Sequence, residues 1–170
     1  AGRADAARRL CRPIRADADF TVGALTVRPF AVPHDAREPV QFVFSAAGRR
    51  LGMLTDCGRI TPHVVDVLSP CDALVLEFNH DRERLAVSSY PPSLRARIAG
   101  GYGHLENAQA LSLLQTLDVG RLQHLVAAHL SEENNCPRAV EALLAPLFAG
   151  DRRRFDIADQ ADGHDWRALT

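Results

Sequence analysis

The chain has 170 residues, of which 46% are hydrophobic and 24% charged, and its formal net charge is −1. This length suffices for one globular core and is short for two, and the near-zero charge does not indicate binding to nucleic acid or membrane through bulk charge. No apolar stretch approaches the roughly 20 residues that cross a bilayer, and the first residues lack a signal-peptide layout, so we expect a cytoplasmic protein without membrane association.

The first half of the chain has the pattern of antiparallel strands joined by tight turns. Residues 6–10 are typical of the end of a helix, and residues 20–32 of a hairpin that turns at Gly23. Residues 40–45 are expected to pair with residues 50–55 across the Ala47-Gly48 turn, because strands joined by so short a loop are antiparallel neighbours.

The second half has the pattern of strands alternating with helices. A strand is expected over 72–78, and helices are expected over 61–68, 92–99, 106–117 and 137–147. Thr61 is the expected cap of the first helix, and Pro62 takes the first helical position, where its missing N–H costs nothing. Residues 1–150 are expected to form one domain, and the polar residues 151–170 an irregular tail.

Several apolar runs end on a side chain suited to metal binding or acid–base chemistry. The clearest are Leu51 to Asp56, Ala73 to Glu77 and Leu125 to His129, and a fourth ends just before His34. Short runs bounded by turn residues are typical of core strands in a layered α/β domain, where ligands gather at strand ends. The pattern predicts a site, and the combination of His with Asp predicts a metal site.

Each candidate also has a plainer explanation. His34 could be an ordinary exposed histidine, and Asp56 an ordinary turn or capping aspartate. His104 follows glycines before a helix, where a capping or anion-binding loop is the alternative. Glu77 ends an apolar strand, and a buried carboxylate needs a partner or a metal. His129 gives the strongest signal, because polar residues cluster directly after it.

Six motifs occur in a fixed order along the chain: Pro-His-Asp-Ala, Thr-Asp-x-Gly, Leu-Glu-x-Asn-His-Asp, Tyr-Pro followed by Arg-x-Arg-Ile, Gly-His-Leu-x-Asn, and Ala-His-Leu-Ser-x-x-Asn-Asn. As a set, from about residue 20 to about residue 147, they resemble the C-terminal two thirds of the YycJ/WalJ-type branch of the metallo-β-lactamase fold hydrolases, which are related to tRNase Z and RNase J. The resemblance implies an α/β (α+β) fold of the αββα sandwich type. This chain is expected to supply mainly the second β-lobe with its flanking helices.

The resemblance also implies a role for each site residue. His34, Asp56 and His129 resemble metal ligands, with Asp56 bridging two divalent ions, most often Zn²⁺ or Mn²⁺. Glu77 and His104 resemble the pair that supplies a proton to the leaving group, so the implied catalytic set is Glu77, His104 and Asp56. Residues expected to orient these ligands or to contact substrate are Asn79, His80, Asp81, Asn107, Asn134 and Asn135.

The His-x-His-x-Asp-His loop of this family, which supplies about four ligands, has no counterpart in the sequence, where no two histidines lie two residues apart. The ligands present are expected to hold at most one ion weakly. Three explanations stay open: a fragment of a longer hydrolase, one half of a two-chain enzyme, or a degenerate relative. The fragment is favoured because the remaining site residues are intact. Without its missing segment or a companion chain, the chain is expected to be inactive and poorly soluble, dimeric or unstable.

The resemblance favours a metal-dependent phosphodiesterase, in particular a nuclease with 5′-to-3′ exonuclease action on nucleic acid. Hydrolysis of a small ester, lactam or cyclic phosphate stays open, since a fold does not fix its substrate. A third possibility is a metal-binding or protein-interaction module without turnover. Four arginines are candidates for a local basic track, with a solvated helix face as the alternative: Arg82, Arg84, Arg95 and Arg97.

Overall fold

A computed structural model describes residues 11–170 of the protein, and its centre is a mixed seven-stranded sheet whose strands lie in chain order. The strands are β1 (Phe20–Val22), β2 (Leu25–Ala31), β3 (Val40–Ala46), β4 (Arg49–Leu54), β5 (Ala73–Glu77), β6 (His124–Ala128) and β7 (Phe155–Ile157). Strands β1 to β4 are antiparallel neighbours, whereas β4 to β7 run parallel. The predicted helix end at residues 6–10 lies outside the described residues.

Helices alternate with the parallel strands, so the α/β prediction is confirmed. The helices of the described part of the chain are α1 (Pro62–Leu68), α2 (Arg82–Val87), α3 (Pro92–Ile98), α4 (Asn107–Thr116) and α5 (Pro137–Leu147). The observed architecture is therefore one mixed seven-stranded sheet with flanking helices. Within residues 11–170, none of the helices is long and apolar enough to cross a membrane.

Two tight turns set the register of the antiparallel half. The first places Gly23 at a φ of +59°, and the second places Ala47 at +49° and Gly48 at +75°. A two-residue loop with both φ angles positive matches the right-handed twist of the strands that it joins. The second turn pairs Ala46 with Arg49, so both predicted hairpins are confirmed.

Helices α1, α4 and α5 pack against one face of the sheet and complete its core. Gly52, Leu74 and Leu125 lie in register across β4, β5 and β6. A Cβ atom at Gly52 would lie 2.6 Å from the side chain of Leu68, so α1 approaches the sheet closely at this point. The predicted start of α1 is also confirmed, because the Thr61 side chain accepts a hydrogen bond from the Val64 N–H.

The opposite face of the sheet is covered in part by the end of the chain. A cavity of about 340 Å³ lies between residues 164–169 and the side chains of Leu51, Val75 and Val126. Trp166, in the same segment, is fully exposed. These strand side chains are apolar, so this face of the sheet presents apolar surface.

Two short elements differ from the sequence-based expectations. The prediction of an irregular tail is wrong at Phe155–Ile157, which form β7 beside β6. Phe155 is buried and stacks on Phe148, seven residues earlier, a contact that the polar residues between them do not reveal. Helix α2 was not predicted. Asp81 caps it by accepting a hydrogen bond from the Arg84 N–H.

Candidate metal centre

Four side chains with metal-binding atoms meet at one edge of the sheet. Asp56 follows β4, Glu77 ends β5 and His129 follows β6, while His104 comes from the loop between α3 and α4. Because β4, β5 and β6 are parallel, their carboxyl ends share one edge of the sheet. The potential ligand atoms of these four residues lie within 4.8 Å of one another. The polar residues predicted at the ends of β4, β5 and β6 therefore lie together at this edge of the sheet.

Glu77 binds two of the other side chains of this group, and its own side chain is fully buried. Its Oε1 accepts hydrogen bonds from Nδ1 of His104 at 2.8 Å and from Nδ1 of His129 at 2.7 Å. Its Oε2 accepts from the backbone N–H groups of Cys57 and Leu105, both at 3.1 Å. Every strong acceptor position of the carboxylate is thus engaged by a donor.

The hydrogen bonds decide the charge of Glu77. Burial by itself raises the pKa of this carboxyl, but the bonds from His104, His129 and the Leu105 N–H outweigh burial and lower the pKa to about 2. The same contact raises the pKa of His129 from its ordinary value, against the opposing effect of burial. Glu77 is therefore an ionised carboxylate at neutral pH, held inside the protein by its donors.

Three imidazole rings are fixed through Nδ1, which leaves Nε2 available on each. His104 and His129 donate to Glu77, and the Nδ1 of His34 donates to the carbonyl oxygen of Gly103 at 3.0 Å. Histidines that bind metals commonly donate the other ring N–H to a carboxylate or a carbonyl in this way. The three rings pack edge to face, with centroids 5.2 Å and 5.3 Å apart.

Asp56 faces the three rings with one oxygen. Its Oδ1 lies 3.6 Å from Nε2 of His34, 3.7 Å from Nδ1 of His104 and 3.9 Å from Nδ1 of His129. The 3.6 Å between Oδ1 of Asp56 and Nε2 of His34 joins two available atoms and approaches the spacing of roughly 3.4 Å between two ligand atoms of a tetrahedral Zn²⁺ with bonds of about 2.1 Å, whereas Nδ1 of His104 and Nδ1 of His129 are already bound to Glu77. Imidazole nitrogens with a carboxylate are also a donor set that Zn²⁺ accepts, so the residues present fit a divalent ion of this type.

The backbone is strained where two of these residues leave their strands. Asp56 has a φ of +50° and His129 a φ of +57°, a region that residues other than glycine occupy rarely. The side-chain amide of Asn79 donates to the carbonyl oxygen of His129 at 3.0 Å and holds this turn. Strained residues cluster at functional sites, where the surrounding structure supports them.

The other polar residues predicted to orient the site lie behind the end of β5. Asn107 and Asn135 exchange side-chain hydrogen bonds of 3.0 Å and 2.9 Å, and Asn135 also donates to the carbonyl oxygen of Phe78. The backbone carbonyl of Asn134 accepts from the Asp81 N–H. The hydrogen bonds of these residues fix the loops and do not involve the side chains of Asp56, Glu77, His104 or His129.

His80 forms no side-chain hydrogen bond with Asp56, Glu77, His104 or His129. It is buried, its Nδ1 lies 3.4 Å from Oδ1 of Asn79, and its burial lowers its pKa. It lines a cavity of about 590 Å³ together with Arg82 and Arg95. Arg82 and Arg95 are two of the four arginines predicted to form a basic track. They therefore line a cavity whose lining does not include Asp56, Glu77, His104 or His129.

Two clefts open onto the central cluster and share one wall. One, of about 660 Å³, is lined in part by His129, and the other, of about 370 Å³, by His34. Tyr90, Ile98 and His104 line both. Together the clefts form a groove that passes along α3 and over His104.

Arg97 also belongs to the predicted basic track, and it lines this groove. There it forms an ion pair with Asp35. Sequence reasoning missed the roles of Cys57 and Leu105, whose backbone N–H groups bind Glu77. Their only signal in the sequence is that each directly follows a predicted site residue.

Comparison with known proteins agrees with this geometry. Residues 2–129 match the family described as the Beta-lactamase superfamily domain. The "Exodeoxyribonuclease YycJ" of Bacillus anthracis is 30% identical over 145 residues, which cover 85% of this chain and 54% of that protein. The chain therefore spans about half the length of this curated relative.

Solved structures share the fold. The metallo-β-lactamase fold protein YhfI from Bacillus subtilis superposes with a TM-score of 0.65 at 14% identity, over 96% of this chain and 61% of that one. Zn²⁺-bound PqqB from Methylobacterium extorquens superposes with a TM-score of 0.62 at 22% identity, over 90% and 54% of the two chains. The matched family shows that the chain belongs to the β-lactamase superfamily, and the superposed structures show that it has the metallo-β-lactamase fold.

Proposed function

We propose that the protein is a metal-dependent phosphodiesterase, acting on nucleic acid in the cytoplasm as a nuclease of the 5′-to-3′ exonuclease type. The observation that carries the proposal is the set of three imidazoles fixed at Nδ1 around the Asp56 carboxylate. The curated relative named an exodeoxyribonuclease supports nucleic acid as the substrate. The groove over His104 supports an extended substrate, because it continues past the cluster in two directions.

His34, Asp56 and His129 are the residues that would hold divalent ions. Zn²⁺ or Mn²⁺ held there would supply a hydroxide at neutral pH and offset negative charge on a phosphoryl group. The described residues offer donors for about one ion. The further ligands would come from another segment of the polypeptide or from a companion chain.

His104 and Glu77 would handle the proton of the leaving group. His104 lines both clefts, and its ring cannot turn freely because Nδ1 is bound to Glu77. Its Nε2 is then the atom that would pass a proton to the departing oxygen. A positioned imidazole typically contributes about 10²- to 10⁴-fold to such a step.

The test is the substitution Asp56→Asn in the full-length polypeptide, with metal content and phosphodiester hydrolysis measured on the same samples. Asparagine tolerates the positive φ of this position but removes the negative charge. We expect the wild type to contain about two ions and to degrade a 5′-phosphorylated DNA strand, and the variant to lose bound metal and at least about 10²-fold in rate. A variant with unchanged metal content and rate would refute the proposal.

A further inference from the structure

Tyr102 is an exposed aromatic residue on the loop that also carries His104. It lies in the loop between α3 and α4, two residues before His104, and 57% of its surface is accessible. The guanidinium of Arg59 lies over its ring, 5.3 Å from the centroid. Since the residue is more than half exposed, much of the ring remains open to a flat ligand.

The loop that carries Tyr102 is packed tightly against the loop that follows Asp56. A Cβ atom at Gly58 would lie 2.5 Å from the carbonyl carbon of Gly101 and from the backbone nitrogen of Tyr102, so only glycine fits there. The Gly58 N–H also donates to the carbonyl oxygen of Pro33 at 2.7 Å. The loops that carry His34, Asp56 and His104 therefore meet at this point, and Tyr102 is fixed relative to the cluster.

The charge of Arg59 is available to a ligand. The side chain is exposed, and among residues 11–170 it takes part in no ion pair, whereas Arg97 is paired with Asp35 and Arg28 with Asp19. Arginine side chains near aromatic rings add cation–π contributions in sites that bind single strands. Arg59 is thus placed to contact a phosphate while Tyr102 contacts the adjoining base.

This combination of an open aromatic face and an unpaired guanidinium matches the chemistry of single-stranded nucleic acid. Single strands bind through bases stacked on aromatic rings and phosphates near basic side chains, and the stacking tolerates any base. Bases inside a duplex do not present a free face. We propose that Tyr102 and Arg59 form a stacking platform for a base of a single-stranded substrate that enters the metal-binding cleft. The proposal rests on the proposed nuclease function and adds the class of substrate.

The experiment measures binding of two probes to the metal-loaded full-length protein by fluorescence anisotropy. One probe is a 5′-phosphorylated thymidine strand of about ten nucleotides with phosphorothioate linkages that resist hydrolysis, and the other has the same backbone without bases. In Tyr102→Ala we expect the preference for the base-bearing strand to fall roughly 5- to 100-fold, as loss of one stacked base implies. Tyr102→Phe retains the ring and should keep the preference within about twofold.

Trp166→Ala is the matched control, because it removes another exposed aromatic side chain, on the opposite side of the sheet from the core helices. It should leave the preference at the wild-type value. Arg59→Gln should lower the slope of log Kd against log salt concentration by about 0.7, the change expected for one lost phosphate contact with a single strand.

The platform is refuted if Tyr102→Ala keeps the wild-type preference, or if Trp166→Ala reduces it as much as Tyr102→Ala does. Hydrolysis of bis(p-nitrophenyl) phosphate by the wild type is measured separately. Its absence would count against the proposed phosphodiesterase, whereas the anisotropy result decides on the platform alone.

Discussion

The antiparallel and parallel halves of the sheet differ in what they bring to the site. Strands β1 to β3 alternate in direction, so within that half only His34, just after β2, reaches the cluster. Strands β4 to β6 run the same way, and each delivers a site residue to one edge: Asp56, Glu77 and His129. The comparison shows that parallel pairing concentrates polar groups, whereas hairpins distribute strand ends over both edges.

The largest effect is expected where the parallel half buries a charge. Glu77→Gln places an amide where four donors converge, so donors are left unpaired, and we expect the free energy of unfolding to fall by about 3 to 5 kcal/mol. The matched change in the antiparallel half is Asp19→Asn, which breaks the exposed ion pair with Arg28 and should cost less than about 1 kcal/mol. Urea unfolding of both variants measures the difference, and equal losses would contradict the contrast between the halves.

An intermediate effect is expected from pH acting on the same group. The pKa of Glu77 is about 2 in the folded protein and near 4.5 in the unfolded chain. This lowered pKa gives stability that is present above about pH 4.5 and is lost as the pH falls toward 2, by about 3 kcal/mol in all.

The raised pKa of His129 acts in the opposite direction. The stability that His129 adds to the folded state is fully present below pH 6.5, the pKa of His129 in the unfolded chain. It is lost as the pH rises through the higher pKa of His129 in the folded protein. The free energy of unfolding of the metal-free wild type should therefore fall both at acidic pH, where Glu77 is protonated, and above pH 6.5, where His129 loses its proton. In Glu77→Gln the free energy of unfolding should depend less on pH in both ranges. An unaltered pH profile in Glu77→Gln would show that other groups control the stability.

The smallest effect is expected in the antiparallel half, at the turn between β3 and β4. Ala47 has a φ of +49°, which glycine adopts without strain, so Ala47→Gly should stabilise the protein by up to about 1 kcal/mol. Ala46→Gly, at the neighbouring strand position, should instead destabilise it by a similar amount. Melting temperatures of the two variants should move in opposite directions, and a shared direction would refute the expectation.

The two halves also differ in how far the sequence predicts them. The hairpins follow from local signals, because Gly23 and the Ala47-Gly48 pair mark turns whose backbone angles the structure confirms. The ends of β4, β5 and β6 could also be predicted, since each apolar run stops on a polar residue. Strand β7 could not be predicted, because Phe155 is buried against Phe148 and because the strand pairs with β6, which lies about 30 residues earlier in the chain.

The sequence predicts which residues come together in the site, but it does not predict all the contacts between them. The resemblance pairs Glu77 with His104, and the structure has that contact. In the structure, His129 also binds the same oxygen of Glu77. This second contact depends on how closely the loops of His104 and His129 approach each other. The backbone donors at Cys57 and Leu105 carry no side-chain signal, because every residue except proline offers an N–H. Such contacts emerge only from the packed loops.

The oxygen shared by two rings makes the cluster a thermodynamically linked pair. Any change in proton or ion occupancy at His129 alters the charge available on Oε1 of Glu77, and His104 draws on that same atom. Substitutions at the two histidines will therefore not be additive, and a double-mutant cycle between them will return a coupling energy rather than zero. In the proposed roles, with His129 as a metal ligand and His104 as the proton donor, ion binding and proton transfer would be linked through this shared oxygen.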